Sequence, residues 1–377
     1  MVLGPLQAAY QVWLLDHSGN RIQLLENFEK LEFILAVNSE GAPGWGSYRI
    51  EGEVTKLPYA DFLLDRIVSI QRKAPGMAWR TEFEGLHRRP EFWYDEKDTE
   101  WYRSSGTDLK ALMKRRIVIP ATGQAFLTYT GPFTDAMRNL VRTQASLLAP
   151  VARRQWHVMV ENDTGEGAII TYSVRDDQLS TDLEELTGLG ASFDVERVDD
   201  YYWFRVYYPR KGKDRRVDNP DGNVPVVFSI VNGNMQEPSF VDDRLGEVNV
   251  VYVAGEGAGA LREIVERSSL WVAELDSPWN RIEGFLDQSS QTNTAVLNAL
   301  GDAYLIENRE QITFSCKTVP TVLCLYGRDW DAGDLITGIY RGVSYDLGID
   351  QVQVTLDVGQ GETIVPTLRW IPGVLLP

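Results

Sequence analysis

Leu323-Cys-Leu-Tyr-Gly-Arg-Asp-Trp-Asp-Ala-Gly-Asp334, continued by Leu335-Ile-Thr-Gly-Ile-Tyr340, Gln351-Val-Gln-Val-Thr-Leu356 and Thr363-Ile-Val-Pro-Thr-Leu-Arg-Trp370, decides the fold of this chain. Side chains of a strand alternate between two faces. Val352, Val354 and Leu356 fall on one face, and Gln351, Gln353 and Thr355 on the other. Asp331 to Asp334 is turn chemistry. Asp331 can bond its own backbone two residues on, and Gly333 accepts a positive φ without steric cost. The segment reads as a β-meander with one buried face, cut by Gly and Asp turns.

Upstream, residues 8 to 130 read mostly as strands. They include Tyr10–Leu15, Arg21–Leu25, Leu31–Val37, Arg66–Arg72 and Trp79–Glu84, with breaks at Asp16–Asn20, Gly41–Gly44 and Ala74–Gly76. Short strands at this spacing suggest a barrel or a sandwich. Asp108 is placed to cap a short helix, Leu109–Met113. Pro132 opens a second helix, whose Phe133, Met137, Leu140, Val141 and Gln144 share one face. Leu183–Leu186 is a further helix, among the strands Gln155–Val160, Ala168–Tyr172 and Tyr202–Tyr208. Pro209 to Asn223 is expected to end a long hairpin. From about 236 the chain is β-rich again, with a strand at Glu247–Val253. One helix follows, capped by Asn293 or Thr294 and facing Val296, Leu297, Leu300 and Tyr304 inward. The expected fold is α+β and mainly β, in three segments: 1–130, 131–235 and 236–377.

Tyr326-Gly-Arg-Asp-Trp-Asp-Ala-Gly-Asp-Leu335 resembles the Y-G-x-D-x-x-x-G-D turn of a siphovirus tail-protein family, the gene-product-37-like proteins. Gly106–Leu109, Arg116–Pro120, Asp135–Val141, Asp214-Arg215, Val226–Ser229, Gly255–Gly257 and Trp279–Gly284 extend the pattern along nearly the whole chain. The resemblance implies a tail-tip (baseplate) hub with two tube-like β-barrel domains around the α+β segment. It implies a homotrimer, whose six barrels match a six-fold ring. The implied partners are the distal tail ring, the tape-measure protein and distal fibre or receptor-binding proteins. Genome DNA would pass through without being specifically bound. A hub of a contractile injection system shares the fold. The family supplies no catalytic, cofactor or metal residues.

Composition agrees with a packed, acidic protein. The 377 residues exceed one core, and 11 Trp, 16 Tyr and 13 Phe exclude a disordered chain. No run approaches the roughly 20 apolar residues of a membrane span. Met1–Leu6 lacks the basic flank of a signal peptide, so synthesis in the host cytoplasm is expected. A net charge of −17 opposes nucleic-acid recognition. It serves solubility, and it also suits a conduit wall that avoids holding DNA. Cys316 and Cys324 are expected as free buried thiols.

Candidate chemistry is sparse. Gly255-Glu-Gly257-Ala-Gly259 lacks the helix a phosphate site requires, and reads as a glycine turn. Asp329, Asp331 and Asp334 lack calcium-loop spacing. His17, His87 and His157 form no zinc pair, and His157 is expected as a satisfied core histidine. Pro90–Tyr102 interleaves Phe92, Trp93, Tyr94, Trp101 and Tyr102 with Glu91, Asp95, Glu96, Asp98 and Glu100. Three readings stand: a hairpin with a solvated acidic tip, a partner contact, and a saccharide platform or glycosidase using Asp95 and Glu100. The basic loop Arg210–Arg216 is either a solvated loop or, through Arg215 and Arg216, a contact to an acidic patch of the next subunit.

Overall fold

The computed structural model describes residues 8–37, 44–257, 259–269, 277–288 and 294–371. Asn293, the Val296 side chain, Ala258, most of the 41–44 break and both chain ends lie outside the described residues. The elements in order are β1 (Ala9–Leu15), β2 (Arg21–Leu24), β3 (Lys30–Ala36), β4 (Ser47–Glu53), β5 (Ile67–Lys73), β6 (Arg80–Tyr94), β7 (Glu100–Asp108) and β8 (Leu127–Pro132). Then come α1 (Phe133–Gln144), β9 (Val158–Val160), β10 (Ile169–Val174), α2 (Leu179–Thr187), β11 (Ser192–Val198), β12 (Tyr201–Tyr207), β13 (Val227–Ser229), β14 (Met235–Asp243) and β15 (Val250–Ala254). The chain ends with β16 (Ile264–Ser268), β17 (Glu283–Asp287), α3 (Thr294–Glu307), β18 (Gln311–Thr318), β19 (Leu335–Tyr340), β20 (Val343–Asp357) and β21 (Gly361–Trp370).

The fold is α+β and mainly β. The C-terminal meander forms as its alternation requires: Val352 and Val354 are fully buried, while Gln351 and Gln353 stay at the half-exposed face. Its long middle strand, β20, pairs antiparallel with β3, setting Val352 against Leu35 and Val354 against Phe33. One sheet therefore runs β18-β21-β20-β3-β4-β7-β6-β5-β1-β2 and joins the two ends of the chain. The described residues form two compact units, Met1–Pro238 with Ser315–Pro377, and Ser239–Phe314. The expected segments 1–130 and 236–377 thus meet through β3 and β20 within the first unit.

In that unit α1 presents Phe133, Met137, Leu140, Val141 and Gln144 to the interior, all buried. The four apolar ones share one core with Leu15, Ile67 and Leu86 of the large sheet and with Phe193 and Phe204 of β11 and β12. The second unit is the sheet β16-β15-β17 with α3. Val251, Val253, Leu297 and Leu305 form its core, and Arg267 ties α3 to β16 through Asp302 at 2.7 Å. Thr294 is the first residue of α3. The alternating Leu261–Arg267 stretch supplies β16, so Gly255–Gly259 lies in the connection of an antiparallel pair.

Several local expectations change. Leu109–Arg115 is a 3₁₀ helix, and Asp108 makes no side-chain cap. Its carboxylate instead accepts the Gly46 amide at 2.7 Å. Pro209–Asn223 does not close a hairpin: β12 is followed by a loop that lays β13 parallel to β19. His157 is no core histidine. It is half-buried with φ +54 and stacks on Trp156 at 3.6 Å.

Gly106 shows why its position excludes a side chain. A Cβ there would stand 1.8 Å from the Leu86 carbonyl oxygen, inside the β6–β7 ladder. Gly106→Ala is expected to lower unfolding free energy by about 1–3 kcal/mol or more, read as a lower urea midpoint. On α2, burial pushes the Asp182 carboxyl up to about 6, against the hydrogen bond it accepts from Tyr172. A raised folded-state pKa favours the protonated acid, a contribution present below the ordinary carboxylate range and lost as pH rises through about 6. Asp182→Asn is therefore expected to melt above wild type at pH 7 and level with it at about pH 4, in paired thermal scans.

Candidate functional site

The Tyr326–Asp334 turn is built residue by residue from its motif. Asp329 folds the chain back, accepting the Leu325 amide at 2.7 Å. Gly327 takes φ +79 and bonds the Trp330 carbonyl at 2.9 Å. Trp330 is buried edge-on against Phe228. Gly333 takes φ +93, and a Cβ there would meet the Lys211 carbonyl oxygen at 2.4 Å. Asp334 holds three donors: the Lys213 amide at 2.7 Å, the Asp331 amide at 3.0 Å and Arg215 Nε at 3.0 Å. The turn's cap is thus Asp334, while the Asp331 carboxylate reaches Arg80 at 2.6 and 2.7 Å. The three aspartates, read from the sequence as a turn rather than a calcium loop, each pair with a different arginine, Asp329 with Arg328.

Beneath the turn lies a buried charge network that links residues far apart in sequence. Arg72 is 3% exposed and pairs with Glu362 at 3.0 and 3.1 Å. Its remaining donors reach the Tyr10 hydroxyl at 2.9 Å and the Tyr326 carbonyl at 2.9 Å. Its guanidinium lies 4.8 Å from the Tyr326 ring centre. The Tyr326 hydroxyl donates to Glu82, which also pairs with Arg80. Burial first, then the Glu82 charge, raises the Tyr326 hydroxyl pKa well above its ordinary value. The phenol therefore stays a donor.

Pro90–Tyr102 is the end of the β6–β7 hairpin. Its register sets Phe92 against Tyr102 and Trp93 against Trp101. The aromatics divide between two faces. Tyr102 is 1% exposed and packs on Phe62, Phe92 and Tyr59. Phe92 and Tyr94 on the same face are exposed. Trp93 and Trp101 stack on the other face at 6.2 Å, with Arg103 4.7 Å over Trp93. Asp95 closes the turn, accepting the Lys97 and Thr99 amides at 2.8 and 2.9 Å and the Trp101 indole at 3.0 Å. Those bonds, Thr99 first, hold its pKa below the ordinary range. One carboxylate of the glycosidase reading is thereby committed to the turn, and Glu91 to Arg103 at 2.5 Å.

Arg215 and Arg216 are held within the subunit. Arg215 pairs with Asp334, and Arg216 pairs with Asp214 at 2.6 Å and Asp346 at 2.8 Å. They are far in space from no one motif: Asp214, Arg215 and Asp334 are motif residues that meet. Cys316 and Cys324 are free and buried, and burial pushes their thiols up to about 12 and about 11. A cavity of about 320 Å³ beside β3, β6 and β11 was not foreseen, because its wall brings together Asp108, Lys110, Asp194 and Lys211 from stretches far apart in sequence. There Lys110, almost fully buried, donates to the Ala36 carbonyl at 2.5 Å.

The chain is mainly β, and its first and last segments share one sheet beside an α+β layer. The family model of siphovirus ReqiPepy6 Gp37-like protein matches residues 11–368, and the chain belongs to that family. Its fold is similar to a tail protein from Neisseria meningitidis MC58, with 15% identity, 96% of each chain covered and a TM-score of 0.57. It is also similar to the prophage MuSo2 43 kDa tail protein from Shewanella oneidensis, with 12% identity, 95% and 97% covered and a TM-score of 0.59. Prophage tail protein gp18 from Listeria monocytogenes EGD-e gives 12% identity, 95% and 94% covered and 0.52. No curated protein matches the sequence.

Glu362→Gln leaves the Arg72 charge buried without its counter-ion. The expected loss is about 3–5 kcal/mol, measured as a lower urea midpoint at unchanged slope.

Proposed function

We propose that this chain is a subunit of the tail-tip hub, which closes or extends the tail tube. It joins the distal tail ring to the tape-measure protein and to distal fibre or receptor-binding proteins. The observation that supports this reading is the family match across residues 11–368. In this reading residues 1–130 and 236–377 supply two tube-like barrels and 131–235 the α+β part between them. Three subunits then present six barrels to a six-fold ring. A head-to-tail ring of this kind closes because each subunit offers two different surfaces. A net charge of −17 keeps passing DNA from binding the wall.

The aromatic hairpin is the contact this reading favours. Trp93, Tyr94 and Trp101 stand at its outer end, and Trp and Tyr are common interface anchors. Tyr102 is buried beneath Phe92, on the face away from Trp93 and Trp101, and anchors the hairpin. Light scattering and averaged electron micrographs are expected to give a three-fold ring with an open centre; a monomer at every concentration would sink the ring. Tyr94→Ala is expected to weaken association about tenfold with an unchanged melting temperature, since the ring is exposed. Tyr102→Ala, by contrast, is expected to cost about 3–5 kcal/mol of stability.

A further inference from the structure

Two loops bring an unusual surface together in the first unit. Residues 114–119 and 147–157 are tied by the main chain: Arg116 Nε donates to the Arg153 carbonyl at 2.6 Å, and Arg153 donates to the Ile117 carbonyl. Lys114, Arg115, Arg116 and Arg153 line one open cleft, and Arg115, Arg116 and Arg154 line the cleft beside it. Arg115 is neutralised by Asp65 at 2.7 Å. Among the described residues, no carboxylate pairs with Lys114, Arg116, Arg153 or Arg154. Their donors go elsewhere: Arg153 to Gln144 at 2.9 Å, Arg154 to the Ala149 carbonyl at 2.9 Å, and Lys114 over the Trp45 ring at 3.7 Å. Burial first, then the Arg153 and Arg115 charges, lowers the Arg116 pKa, as an uncompensated positive field does. This concentration of positive charge stands in a chain of net charge −17.

The same loops expose apolar groups. Leu148 is 65% exposed and Val151 78%, with Leu147, Trp156, Ile117 and Ile119 also exposed. A chain of net charge −17 opposes nucleic acid as the occupant, and Arg and Trp beside exposed apolar side chains suit a protein interface. The partner must therefore be a protein surface both acidic and apolar. This chain carries one. At the hairpin tip Glu96 and Asp98 are exposed, and among the described residues neither pairs with a cation. Phe92 and Tyr94 are exposed beside them. A subunit's own tip stands clear of its own basic loops. Asp65 bonds both Arg115 and Arg88, and the strand from Arg88 to Asp95 carries the tip roughly 20 Å onward at about 3.3 Å per residue.

We infer that the basic, apolar surface of loops 114–119 and 147–157 receives the acidic, aromatic tip of the β6–β7 hairpin from a second copy of this chain. The contact is head-to-tail, because the two surfaces differ. It rests on the proposed ring and names where subunits touch.

The test uses the full chain and reads its oligomer mass against concentration. Lys114→Glu with Arg154→Glu, and separately Glu96→Lys with Asp98→Lys, are each expected to raise the dissociation constant about tenfold or more. The chain carrying all four reversals is expected to recover association, because charge attraction is restored. A second measurement needs no variant: wild-type association is expected to weaken from about 0.05 to 0.5 M salt as these charges are screened. A salt-insensitive oligomer whose mass survives both reversals overturns this contact and leaves the ring standing. Loss of association that the four-fold reversal fails to restore, in chains that melt as wild type, also overturns the pairing. A wild-type chain that stays monomeric overturns the ring and this contact together.

Discussion

The structure depends on a buried charge that must be matched. Arg72 on β5 is removed from water, and its partner Glu362 comes from the last strand of the chain. An unpaired buried guanidinium would cost several kcal/mol, so the fold holds only if residues 290 apart in sequence meet. Tyr10 and the Tyr326 carbonyl take the remaining Arg72 donors, and the Tyr326 hydroxyl extends the network through Glu82 to Arg80 and Asp331. The network thus acts with the β3–β20 ladder. The ladder supplies main-chain bonds and apolar burial; the charges discriminate one arrangement of the two chain ends from others.

The Y-G-x-D-x-x-x-G-D turn serves the same joint. Both its glycines take positive φ, Gly333 admits the Lys211–Gly212 backbone and Gly327 the Arg72 and Arg80 side chains, and its last aspartate captures Lys213 and Arg215. The basic loop after β12 is therefore pinned, which lets β13 lie parallel to β19. A motif spread over residues 214 to 334 marks a contact within the subunit. The hairpin at Pro90–Tyr102 divides its residues differently. Tyr102 and Asp95 secure the hairpin, while Tyr94, Phe92, Glu96 and Asp98 face solvent.

The sequence by itself determined what short-range periodicity controls. Alternation marks β20 and β21, and the Phe133–Gln144 face marks α1, because burying one side of a strand or helix dictates a repeat of two or 3.6 residues. The Gly and Asp turns were legible for the same local reason. The strand β4 and the part of β7 beyond the hairpin read at Pro90–Tyr102 escaped notice, because Gly52 and Ser104 take inward positions that apolar residues would otherwise mark. Only the tertiary structure decided which charge meets which. Arg215 and Arg216 look like a free basic cluster when read along the chain, and turn out to answer Asp334, Asp214 and Asp346. Arg116 and Arg153 look unremarkable in sequence, and come together with no carboxylate paired to either among the described residues. A charge carries no periodicity and acts on whatever is near in space, so its partner emerges only when the sheet brings distant strands into register.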